Sequence, residues 1–194
     1  MKLILNLLIV GAIGLLAYLL YNSINEPIKF RSELAKRENV VIEKLEQIRA
    51  AQSIHRDITG RFAGSFDSLA YVLTNDSIPF RQLLADPEDP ENPDKFIVNI
   101  LYSSAKDSID GLGINLADLQ YVPFSNKATS FNMQADTTTY QSTLVPVCEV
   151  MTRYESVMGQ FADPKFSMYE KGSSPDTKIG FGSMSSPNLE GNWK

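Results

Sequence analysis

The start of this chain constrains it more than any other stretch. From Leu3 to Tyr21 only Asn6 breaks an apolar run, and no charge follows Lys2 until Glu26. A helix of ~20 such residues is long enough to cross the hydrocarbon layer of a bilayer. A cleaved signal peptide has a shorter core of ~7–15 residues that ends at a small-x-small site. Here the run leads into Tyr18-Leu-Leu-Tyr-Asn-Ser, so residues 1–25 read as an uncleaved anchor. The only cysteine, Cys148, is far from this end, which excludes a lipoprotein.

Gly11, Gly14 and Ala17 fall at i, i+3 and i+6. Small residues on one stripe let helix backbones approach closely in lipid, although glycine is also common in membrane helices generally. This stripe is the candidate for helix packing within the membrane. A bare count of Lys29, Arg31, Lys36 and Arg37 against Lys2 favours a cytoplasmic domain. The two-residue N-tail argues the reverse, since such tails stay inside when a long domain follows. We expect the domain outside.

Pro27 suits a first helical turn, so a second helix is expected over residues 26–60 after a short break at Asn22–Pro27. Leu34, Val41, Ile48 and His55 recur every seven residues, with no proline or glycine from Ile28 to Ile58. That is an amphipathic helix. Leu34, Val41 and Ile48 form its candidate face for a partner helix. Glu38 and Gln52 interrupt the second apolar position of a coiled coil. The preferred reading is therefore a stalk whose C-terminal half packs on its own domain.

Gly60 ends this helix, and Ser65 can cap a short one through Phe66, Leu69 and Leu73, with Asp67 in its first turn. The period then changes. Phe96–Tyr102, the alternating Phe131, Met133 and Ala135, Leu144–Val150 and Lys178–Met184 read as strands. Pro123 suggests an edge, and Pro146 an edge or a bulge. Tyr154, Val157, Met158 and Phe161 have helical spacing, with Thr152 as a plausible cap. Trp193 can dock the tail. Helices and strands segregate, so residues 61–194 are expected to form an α+β domain with a small antiparallel sheet against the long helix.

Few residues offer chemistry. Lys2 is the one charge in the anchor, so the rest carries 17 basic against 23 acidic residues. That balance excludes a basic nucleic-acid surface. His55 is the only histidine and lies on the helix stripe. Cys148 sits in an apolar strand, where cysteine behaves as a small hydrophobe. One His and one Cys fall short of the usual zinc ligand sets. Asp86, Glu88, Asp89, Glu91 and Asp94 offer oxygen ligands for calcium without the EF-hand pattern, and read as a solvated loop. Gly180-Phe-Gly182 lacks a phosphate-loop lysine. We expect no catalytic residue, cofactor or metal.

Leu45 through Gly60-Arg-Phe62, followed by Phe66-Asp-Ser-Leu69, resembles the segment of type IV pilins and type II secretion pseudopilins where the long helix ends at a glycine-aromatic turn. The glycine-phenylalanine prepilin junction and the early glutamate of those proteins are missing here. More of the chain is similar to a family of single-pass envelope proteins of anaerobic Gram-negative bacteria. The matching pieces are Glu26-Pro27, Ala35-Lys-Arg-Glu38, Tyr121-Val-Pro-Phe-Ser125, Val145-Pro-Val147 and Gly191-Asn-Trp193. These resemblances imply a pilin-like helix-plus-sheet domain, single-pass in the inner membrane with its main domain in the periplasm. They imply a role through the bilayer and through protein partners or self-association, in a secretion, motility or transport assembly. A ligand-binding or sensor module on an anchor is the alternative.

Overall fold

The computed structural model describes residues 1–85, 96–170 and 172–193. Its fold is α+β: a long apolar N-terminal helix leads into a domain with small antiparallel sheets. Helix α1 runs unbroken from Lys2 to Thr59. It is long and apolar enough to cross a membrane, with a mean hydropathy of 2.6 over its most apolar 18 residues, none of them buried.

The break expected at Asn22–Pro27 does not occur, because Pro27 lies inside α1. Proline removes the donor that the Ser23 carbonyl would take, at a cost of ~3 kcal/mol in a helix interior. Packing just downstream offsets this. Phe30 is fully buried and stacks on Phe166 with ring centroids 5.0 Å apart, and Phe161 and Tyr169 tilt around them. On the solvent side Asn25 Nδ2 donates to the Tyr21 carbonyl at 3.1 Å.

The seven-residue stripe is buried throughout: Leu34, Val41, Ile48 and His55, joined by Phe30, Leu45, Ala51 and Gln52. Two expectations are corrected here. The helix packs on its own domain along its whole length from Glu26 onward, not only in its second half. Leu34, Val41 and Ile48 therefore face this chain's own core instead of a partner helix.

Gly60 closes α1 in the left-handed region at φ 77°, where its N–H reaches the Arg56 carbonyl. Helix α2, Phe66–Asn75, starts at Ser65, whose hydroxyl accepts from the Ser68 N–H. It buries Leu69 and Leu73. Strands β1, Ser77–Ala85, and β2, Phe96–Ser104, form an antiparallel ribbon in which Ser77 pairs with Ser104 and Leu84 with Ile97. Helix α3, Ala105–Gly111, follows at once and buries Ala105 and Ile109.

A separate three-stranded sheet has the order β3-β4-β5. Its strands are Asn132–Tyr140, Thr143–Arg153 and Lys178–Gly182. Val147, Cys148, Val150, Ile179 and Phe181 are buried in it, and most of them join the core against α1. Pro146 sits in the central strand β4, but β5 pairs only with Glu149–Arg153, so β4 is locally an edge where the proline stands, as its sequence suggested. Thr152 pairs with Ile179 inside β4 and does not cap the next helix, α4, Tyr154–Met158. Two 3-10 turns follow, Gly159–Phe161 and Pro164–Met168. The tail is tied down: Asn192 Oδ1 accepts from the Gly180 N–H at 3.0 Å, and Trp193 packs against the core.

Candidate interaction surface

The β1-β2 ribbon places apolar side chains on both of its faces. Alternation along paired strands sets Phe80, Leu84, Ile97 and Leu101 on one face, around Gln82 and Asn99. Leu83, Val98, Ile100 and Tyr102 stand on the other, beside Arg81. These eight apolar side chains are 40–71% exposed. Summed over both faces they leave on the order of 800 Å² open, about half on each, so each face matches the ~300–600 Å² of the largest patch on a typical monomer, which is often functional. Among the described residues the ribbon is anchored at its base, by buried Ile78 and by the Ala105 N–H donating to the Asp76 carbonyl at 3.2 Å.

The two edges of the ribbon differ. β1 carries Pro79 and Arg81, both devices that blunt an edge against further pairing. β2 carries neither proline nor charge from Phe96 to Ser104. Among the described residues no strand pairs with its outer edge. Lipid is a poor cover for this ribbon, because open sheet edges do not occur in hydrocarbon and Arg81, Gln82 and Asn99 stand in its middle.

The residues singled out by sequence lie elsewhere. Gly11, Gly14 and Ala17 are exposed on the N-terminal arm, and a methyl group added at either glycine would meet nothing within 4 Å. The acidic run Asp86–Asp94 lies outside the described residues. His55 is buried and its Nδ1 is 2.8 Å from the Arg61 carbonyl, which places its proton there, while Nε2 has no partner among the described residues. Cys148 is fully buried, and burial pushes its thiol up to about 12, far from a reactive thiolate. Both residues serve the fold. The described residues contain no cluster of three or more His, Cys, Asp or Glu suited to a metal.

A cavity of about 470 Å³ opens between α1 and the C-terminal tail, lined by Arg31, Leu34, Glu38, Tyr154, Glu170 and Trp193 among others. Its polar groups already engage one another. Arg31 donates to the Tyr169 carbonyl at 2.9 Å and lies 3.6 Å from Glu170. Tyr154 donates to Glu38 at 2.8 Å; burial, then this bond, raises the phenol above its ordinary range.

Sequence reading missed β1 and its apolar residues altogether. The signal that could have found them is the pair of apolar runs Ile78–Leu84 and Phe96–Tyr102, flanking a stretch rich in proline and aspartate as a hairpin does. No protein-family model matches this chain, and no curated protein or solved structure is similar to it.

Proposed function

We propose that this is a single-pass membrane protein that acts through protein contacts and not by catalysis, as a pilin-like or accessory subunit of a secretion, motility or transport assembly. In this reading α1 anchors it in the inner membrane and the domain lies in the periplasm. The observation that carries the reading is the ribbon, whose exposed apolar faces and open β2 edge match a surface that takes a partner by strand addition. The burial of His55 and Cys148 supports a non-enzymatic role. The internal pairing of the cavity's polar groups favours protein contact over the ligand-binding alternative.

The test is a photo-crosslinking residue at Tyr102 in the full-length chain in cells, with mass spectrometry of the adducts. The expected result is a reproducible protein adduct that is lost when Leu101→Lys places a charge beside the open edge. A ribbon that yields no protein adduct, in a chain that stays monomeric in detergent, overturns the reading.

A further inference from the structure

We infer that the folded domain has a second contact with the bilayer besides its helix: the turn Pro164–Met168, resting on phospholipid headgroups. The inference rests on the anchored reading of α1 and adds a surface to it.

The heights follow from helix geometry. The apolar run ends at Tyr21, and Glu26 is five residues farther along an unbroken helix, a rise of ~7.5 Å. The headgroup layer is ~5–7 Å deep on each side of the hydrocarbon. Glu26 therefore stands at the outer margin of the headgroups, and whatever contacts it stands there too. Its carboxylate accepts from Lys165 Nζ at 2.9 Å and from the Tyr169 hydroxyl at 3.3 Å. The domain is thus seated on the membrane surface and is not held away from it by a stalk.

The turn also presents the right face. In a 3-10 turn the side chains at i and i+3 eclipse. Phe166 and Tyr169 share one face, which packs on Phe30 with centroids 5.0 and 6.2 Å away. Lys165 and Met168 share a second column, where Lys165 bonds Glu26 with its Nζ lying 4.6 Å from the Phe166 ring centroid, so this column stands at the height of Glu26. Met168 is 75% exposed. On α1 itself Ile24 and Ile28, one turn apart, are exposed and carry the apolar surface past Tyr21. Exposed Lys29 stands beside them. Flexible apolar side chains flanked by ammonium groups suit the boundary between acyl chains and phosphates.

The experiment uses the full-length chain in vesicles of phosphatidylcholine and phosphatidylglycerol, with an environment-sensitive fluorophore on Met168→Cys. Buried Cys148 is left in place. Leu16→Cys and Asp67→Cys are labelled in parallel, one in mid-helix and one at the far end of the domain. The expected result is blue-shifted emission at position 168, quenched by lipid spin-labelled near its headgroup, with none at position 67. Emission at position 168 as water-exposed as at 67, while the label at 16 is quenched, overturns the surface contact and leaves the anchor standing. A label at 16 that lipid does not quench overturns both.

Discussion

Among the described residues the chain builds two antiparallel sheets and treats them in opposite ways. The three-stranded sheet buries its inner face against α1, and Phe181 on its edge strand β5 is 1% exposed. The ribbon buries almost nothing beyond its base, and Phe80 is 51% exposed. A two-stranded ribbon alone is marginally stable in water, whereas three strands with a covered apolar face suffice. The two sheets therefore differ in purpose: one holds the domain together, and the other is apolar without serving the core. The domain's core draws on the ribbon only at its base, through Ile78.

The largest expected difference is between the two phenylalanines. Phe181→Ala opens a cavity in the sheet packed on α1 and should cost ~3–5 kcal/mol. Phe80→Ala removes a side chain with little to pack on and should stay within ~0.5–1 kcal/mol. Denaturant unfolding of the full chain in detergent, followed by the fluorescence of Trp193, reads both. Trp193 is the only tryptophan and packs against the same core as Phe181. Equal losses would mean that the ribbon is a structural sheet and would remove the contrast.

A second pair sharpens the contrast through polar groups. Gln52 is fully buried, its Nε2 donating to the Ala63 carbonyl and its Oε1 accepting from the Ala63 N–H, both at 2.9 Å. This clamp holds the turn after α1 back onto the helix. Gln52→Leu keeps the volume but strands both backbone groups, at a cost of ~2–4 kcal/mol. Gln82→Leu, on the exposed ribbon, should change stability by less than ~0.5 kcal/mol. The same unfolding midpoints decide, and a mild Gln52→Leu would show that the turn is held by its apolar contacts alone.

Much of this was legible in the sequence, and the failures have a common cause. The stripe through Leu34, Val41, Ile48 and His55 marks a buried face of a helix, and it is one. Spacing cannot say what covers the face, so a surface expected to meet a partner meets the chain's own domain. Glu38 and Gln52 look like faults in the repeat because their partners, Tyr154 and Ala63, are invisible to local periodicity. The caps at Gly60 and Ser65 and the alternation from Phe131 to Ala135 are local signals and were readable. β1 was not, since Pro79, Arg81 and Gln82 interrupt its apolar residues, whereas β2 is an apolar run broken only by Asn99. The seating of Lys165 on Glu26 joins residues 139 apart, which no motif announces. Pilin-like architecture stays a proposal drawn from resemblance.

The smallest effect concerns the turn of the packed hairpin. Tyr140 pairs with Thr143 across a two-residue loop, in which Gln141 and Ser142 both take positive φ, 49° and 65°. Such loops prefer Asn-Gly, because in the left-handed region Cβ crowds the following carbonyl oxygen, a clash that glycine lacks and asparagine offsets by local hydrogen bonding. Gln141→Asn with Ser142→Gly should therefore raise stability by ~0.5–1 kcal/mol, read as a higher unfolding midpoint. Because β3-β4 and the ribbon are separate sheets, the gain should leave the Tyr102 crosslink unchanged. A crosslink that weakens as the packed hairpin stiffens would show that the two sheets are mechanically linked. The ribbon would then be part of the domain's own cooperative unit, and its exposed faces would need another explanation than a waiting partner.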